Sequence, residues 1–190
     1  MKESDPTIKK EFNIDIGGGA GEYFTEEAKK NPDKTFVVLE PFSRGKVFIP
    51  QSENLHVIMW KSDVDSSLPF LEGTVSVASA NFLMGELQTK EGNPRTIEVE
   101  KRRYARLMGD IKNLLKEGGK LRIVEVKGSI DYVVEILNEV GFSVTSQPRP
   151  ISSEEKDMSF YTKFFYDMYK KSGKKPEDSV TLPMVLEATK

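Results

Sequence analysis

No cysteine occurs among the 190 residues. That absence excludes disulfides, cysteine nucleophiles and thiolate metal sites. Histidine is almost as scarce: His56 is the only one. A metal site would therefore rest on carboxylates alone, and no carboxylates fall at ligand spacing, so no metal is expected. Neither sign of charge dominates. Lys and Arg number 28 against 30 Asp and Glu, a net charge of -2, which gives no whole-molecule pull toward nucleic acid or anionic membrane. Long apolar runs are missing too. No stretch of about 18 such residues exists, so no membrane span is expected. Residues 1–10 are charged and do not read as a signal peptide. Together these absences fit a cytoplasmic protein. No internal repeat or low-complexity segment is present, and the length favours one domain over 1–190.

What the chain does have is an alternation of apolar strands and amphipathic helices. Strands are expected at about 12–16, 35–40, 54–60, 73–80, 120–126, 142–145 and 179–189. Thr35-Phe36-Val37-Val38-Leu39-Glu40 is nearly continuous in apolar character, as in a parallel strand buried on both faces. Helices are expected from about Gly21 to Lys30, stopped by Asn31-Pro32, and from Ile97 to Glu117, closed by Gly118-Gly119. Leu107, Met108, Ile111, Leu114 and Leu115 share one face of the second. Ser129 is expected to cap a third helix through Val140, with Val133, Val134, Leu137 and Val140 inward and Gly141 closing it. A fourth runs from Ser152 or Ser153 to about Lys171. The alternation predicts a doubly wound α/β fold, with helices on both faces of a mostly parallel sheet. One link departs from that pattern: Pro41 to Glu53 has room for only a turn or two, so a short or irregular connection is expected there. Pro183 in the last strand suits a bulge or a position where its missing N–H costs nothing.

The first strand leads into Asp15-Ile16-Gly17-Gly18-Gly19-Ala20-Gly21, followed by a helix. A glycine turn lets a ligand approach bare backbone, and the helix start offers free N–H groups and a positive dipole end. The dinucleotide fingerprint fails, because Glu22 holds its last glycine position, and no Gly-Lys-Ser/Thr follows as a triphosphate loop requires. Asp15, two residues before the first glycine, would repel phosphate and attract a cation. Glu40 ends the second strand, 19 positions after Gly21, where a carboxylate can accept hydrogen bonds from both hydroxyls of a ribose. A strand-end glutamate facing solvent is the plainer alternative.

The pattern Asp15-x-Gly17-x-Gly19-x-Gly21 resembles the first motif of class I S-adenosylmethionine-dependent methyltransferases. The likeness extends over most of the chain, from about Phe12 to Lys190. It implies a seven-stranded sheet with the last strand antiparallel, and S-adenosylmethionine as cofactor with S-adenosylhomocysteine as product. By this resemblance Asp15, Gly17, Gly18, Gly19 and Gly21 hold the amino-acid end of the cofactor and Glu40 grips its ribose. Ser62-Asp63-Val64-Asp65-Ser66-Ser67-Leu68-Pro69-Phe70 is similar to the family's next landmark, which assigns Asp63 to the adenine amino group and Val64 to the ring. Asp63 would equally serve as a helix cap. Ser79-Ala80-Asn81-Phe82 stands where the family's loop touches the methyl group and the substrate. The prolines of the amino-methylating subtype are absent from it. Ser79 joins the cofactor candidates and Asn81 the substrate candidates, although a turn asparagine is as good a reading.

The methyl acceptor is left open between a small molecule, RNA and protein, and no general base can be named. Lys101, Arg102, Arg103 and Arg106 form a basic cluster in which Arg103 is a substrate candidate and RNA a conceivable partner. With Glu98 and Glu100 beside it, a solvated mixed-charge helix face is favoured. Tyr161 is a further substrate candidate, yet its spacing with Phe164, Phe165 and Met168 says core first. His56 lies mid-strand and reads as structural. Two alternatives stand beside methyl transfer: a catalytically silent methyltransferase-like interaction module, and, less favoured, a nicotinamide-dependent oxidoreductase.

Overall fold

In the computed structural model, residues 11–17, 22–40, 52–59, 68, 72–81, 94–151, 160–175, 178–179 and 182–190 are described. Their sheet is ordered β3-β2-β1-β4-β5-β8-β6, with β7 also pairing β8. The strands are β1 (Phe12–Ile16), β2 (Thr35–Glu40), β3 (Leu55–Met59), β4 (Val75–Asn81), β5 (Leu115–Val126), β6 (Ser143–Val144), β7 (Arg149–Pro150) and β8 (Pro183–Thr189). The helices are α1 (Glu22–Lys30), α2 (Pro94–Leu114), α3 (Lys127–Val140) and α4 (Phe160–Ser172). Strands β1 to β5 pair in parallel, and β8 runs antiparallel to β5, as expected.

Seven strands were expected, and the described residues form eight. The extra one arises from a break in the edge strand. Ser143 and Val144 pair with Thr189 and Ala188, whereas Arg149 and Pro150 pair with Val185 and Met184. Between the two pieces the N–H groups of Thr145 and Ser146 both donate to the Glu187 carbonyl. So β6 and β7 are one edge strand interrupted by an insertion, and the rest of the order matches the seven-strand expectation. Pro183 opens β8 opposite Val126, a strand-start position that needs no N–H.

The two faces of the sheet are covered unequally. On one, Phe24 and Ala28 of α1 pack on Phe36, Val38 and Leu55, with the Phe24 and Phe36 rings edge-on at 5.0 Å. The spacing of 24 and 28 is one helical turn. The C-terminal end of α1 is tied down by Asn54, whose side-chain amide lies 2.9–3.0 Å from the carbonyls of Ala28, Asn31 and Lys34. The other face carries the larger core. There Tyr104, Met108 and Ile111 of α2 and Ile130, Val133 and Leu137 of α3 cover Ile14, Ile16, Leu39, Ala80, Leu121 and Ile123.

Three helix ends differ from expectation. α2 begins at Pro94, three residues ahead of Ile97, since proline suits a first helical turn. α2 stops at Leu114, not Glu117, because Leu115 is already paired with Val75 and fully buried. Residues 116–119 then bulge out before Lys120 pairs with Val77, and Gly118 takes the left-handed conformation (φ 68°) that this bulge requires. At the start of α3, Ser129 is not the cap. The strand runs straight into the helix, the cap position is Val126 without a side-chain bond, and Ser129 is buried in the first turn. The far end behaves as expected. Gly141 is left-handed (φ 84°), its N–H donates to Asn138, and the Phe142 N–H reaches Leu137, a Schellman closure. In α4 the expected inward Met168 is exposed, and Tyr169 packs against the core instead.

The link at 41–51, the landmark at 62–67 and the helix start at Ser152 or Ser153 lie outside the described residues.

Candidate functional site

Asp15 is the fourth residue of β1 and is fully buried. Its strand neighbours are Val38 on β2 and Ser79 on β4. Side chains paired across a parallel ladder share a face, and alternate residues along a strand share it too. Asp15, Ser79 and Glu40 therefore lie on the α1 face, at or near the carboxyl ends of three adjacent strands. Ser79 is 1% exposed and Glu40 7%. Chain order reverses here, since β1 lies between β2 and β4. This is the switch point at which open α/β sheets bind ligands.

The residue after β1 is left-handed. Gly17 has φ 73°, a left-handed conformation that a side chain would strain. Its N–H still donates to the Leu39 carbonyl at 2.8 Å, so the β1–β2 ladder holds up to the turn itself. α1 begins five residues later at Glu22. A buried carboxylate, a serine hydroxyl and a second carboxylate thus sit beside a backbone turn and a helix start. These groups suit a ligand with a cationic end and vicinal hydroxyls: carboxylates accept hydrogen bonds from ammonium and hydroxyl groups. That donor set fits S-adenosylmethionine, whose amino-acid end carries an ammonium and whose ribose carries two hydroxyls. It does not suit the phosphates of a dinucleotide, which Asp15 would repel.

Of the candidates named from sequence, the fold brings Asp15, Gly17, Glu40 and Ser79 to one place. Asn81 is the last residue of β4, opposite Val124; its side chain, and that of Tyr161 in α4, lie outside the described residues. Gly18, Gly19, Gly21, Asp63 and Val64 lie outside them as well. Arg103 is exposed on α2. In the basic cluster around it, Lys101 lies 3.5 Å from Glu135 and sits over the Tyr132 ring, and Arg102 lies 4.0 Å from Glu98. His56 is exposed in the middle of β3. No group of three or more His, Asp or Glu able to hold a metal occurs among the described residues.

A second polar group escaped the sequence reading. Glu125, near the end of β5, is fully buried on the α2–α3 face, with Tyr104 (4% exposed) and Ser129 (1%) also buried beneath those helices. The hydroxyls of Tyr104 and Ser129 have no hydrogen-bond partner among the described residues. Burial, with the Glu125 charge adding to it, pushes the Tyr104 phenol well above its ordinary range. Tyr104 precedes Met108 and Ile111 at helical spacing, so the periodicity marked it as inward. Glu125 sits in a run of apolar strand residues, and nothing in that run alone told which face α2 and α3 would cover.

No protein-family model matches the chain. It is 22% identical over 156 residues to the tRNA (guanine-N(7)-)-methyltransferase of Mycoplasmopsis pulmonis, covering 78% of this chain and 72% of the relative. Among solved structures it is similar to a S-adenosylmethionine-dependent methyltransferase from Methanosarcina mazei, with a TM-score of 0.59 at 13% identity over 98% of both chains. It is also similar to the 16S rRNA methyltransferase KamB, with a TM-score of 0.58 at 12% identity over 95% of this chain and 87% of that one. The strand order, the antiparallel β8 and these likenesses agree: the chain has the fold of the class I S-adenosylmethionine-dependent methyltransferases.

Proposed function

We propose that this chain is a single-domain methyltransferase that binds S-adenosylmethionine at the switch point and passes its methyl group to an RNA acceptor. The observation that carries the cofactor half is the placement of buried Asp15 beside Ser79, with Glu40 on the same face at the end of the next strand. In this reading Asp15 accepts hydrogen bonds from the ammonium, the Gly17 turn admits the amino-acid end, and Glu40 accepts from the ribose hydroxyls. Gly18, Gly19, Gly21, Asp63 and Val64 complete the set proposed from the motif. The bound cofactor supplies an activated methyl on sulfonium, so the protein's task is to align the acceptor and exclude water. A fold serves many reactions, so the acceptor class is argued separately. It is supported by the RNA substrates named for the tRNA and 16S rRNA methyltransferases that the chain is similar to.

Calorimetry with S-adenosylmethionine and S-adenosylhomocysteine tests the first half. Saturable binding, lost in Asp15→Ala and weakened in Glu40→Ala, is expected. No binding to the unaltered protein would remove the reading, and preferential binding of a nicotinamide dinucleotide would replace it. Transfer of labelled methyl from the cofactor into unfractionated transfer or ribosomal RNA tests the second half. Binding without transfer to any acceptor would favour the silent interaction module.

A further inference from the structure

The last helix ends in charge. Lys170 and Lys171 occupy the final turn of α4, Gly173 closes it with φ 63°, and Lys174 and Lys175 follow. All four lysines are exposed. Among the described residues Lys170, Lys171 and Lys174 take part in no salt bridge. Lys170 instead lies over the Tyr166 ring, 4.9 Å from its centroid, and Tyr166 leans on Tyr169 at 6.2 Å. Elsewhere the surface cations are largely engaged: Lys29, Lys30, Lys34, Lys101, Arg102 and Lys116 each face a carboxylate. Lysines in a last turn also complement the helix dipole. That effect fades within the turn and does not account for Lys174 beyond it.

The position matters as much as the charge. β7 ends at Pro150 opposite Met184, and β8 begins at Pro183 opposite Val126. Both points lie at the carboxyl edge of the parallel strands, so the α4 segment leaves and re-enters the sheet at the edge that carries Asp15 and Glu40. Lys175 precedes Leu182 by seven residues, and Leu182 is tied to that edge by the Lys127 N–H. Seven residues span at most about 25 Å, and the Asp178 N–H bonded to the Lys175 carbonyl shortens the path.

We propose that this end of α4, Tyr166 with Lys170, Lys171, Lys174 and Lys175, is the surface on which the acceptor RNA docks. The inference rests on the RNA reading above. A polynucleotide presents regularly spaced phosphates that exchange counterions for lysines, and unpaired bases stack on an aromatic face such as Tyr166. An acidic protein or an anionic membrane would use the lysines and have no need of the ring beside them.

The test uses the whole chain and unfractionated transfer RNA as probe, with affinity read by fluorescence anisotropy between 50 and 200 mM salt. The variant K170A/K171A/K174A should bind at least about tenfold more weakly, with a salt slope shallower by about 2 and unchanged affinity for S-adenosylhomocysteine. Removing two ion-paired lysines from the last turn of α1 (K29A/K30A) should shift RNA affinity less than twofold. Tyr166→Leu should weaken binding several-fold without altering the salt slope. Wild-type affinity in the α4 variant, or a loss carried by K101A/R102A instead, overturns the proposal. So does saturable binding of polyglutamate or phosphatidylserine vesicles where RNA fails to bind. The two readings separate cleanly: RNA binding through these lysines without methyl transfer sinks the methyltransferase reading alone, whereas undiminished transfer to RNA in the α4 variant sinks the docking surface alone.

Discussion

Two groups of buried polar side chains stand toward the carboxyl end of the sheet, on opposite faces. Asp15, Ser79 and Glu40 lie on the α1 side; Glu125, Tyr104 and Ser129 lie under α2 and α3. Both groups place a carboxylate where water does not reach, which is costly unless something compensates. They differ in what surrounds them. The first group lies beside Gly17, where β1 gives way to a left-handed turn residue. The second is roofed by two long helices and belongs to the main apolar core. In the reading proposed above, the acid beside the turn is the binding group and the acid under the two helices is a packing element. Burial alone does not separate the two, and the adjacent turn does.

Substitutions can break or sharpen that contrast. The largest effect is expected at Glu125→Ala. Removing a fully buried side chain from the main core should lower unfolding stability by about 2–4 kcal/mol in chemical denaturation, with cofactor affinity within about twofold. A cofactor loss there equal to that of an Asp15 variant would erase the distinction. Next comes Asp15→Asn, which keeps the shape and removes the charge. Loss of a charge-assisted hydrogen bond, about 1.5–3 kcal/mol, should weaken S-adenosylhomocysteine binding by roughly 10–150-fold with thermal stability retained. The smallest effect belongs to Tyr104→Phe, which deletes a buried hydroxyl with no partner among the described residues and should change neutral-pH stability by less than about 1 kcal/mol. Its signature lies in alkaline solution. The folded phenol is held above the usual value near 10, so the folded state keeps its proton where the unfolded chain has lost it. That contribution is complete below about pH 10 and falls away as pH rises beyond it. Tyr104→Phe should therefore show a shallower alkaline loss of stability than the unaltered chain.

Much of this was legible in the chain itself. Strands β1 and β2 fall where their apolar runs end, at Ile16 and Glu40, because a strand buried on both faces leaves few readings of its period. Glu40 stood out as the carboxylate closing such a run, and Asp15 as the carboxylate two residues before the first glycine. What escaped is decided between elements. Leu115 left the helix pattern because Val75 was waiting as a strand partner. Ser129 lost its capping role because no loop residue separates β5 from α3. Glu125 looks like a solvated charge until two helices are laid over it, and Met168 and Tyr169 trade places on a one-residue change of helical phase. That Lys170, Lys171 and Lys174 meet no carboxylate among the described residues was equally invisible, since a sequence lists charges without saying which ones already have partners.

The break in the outermost strand has a consequence for the molecule's company. An uninterrupted margin offers a row of donors and acceptors on which another chain can crystallise as a fibril. Here that margin comes in two-residue pieces, offset by a doubled contact to the Glu187 carbonyl, and Pro148 and Pro150 bring no N–H to it. This border therefore offers an incoming strand only short, interrupted stretches of backbone to pair with.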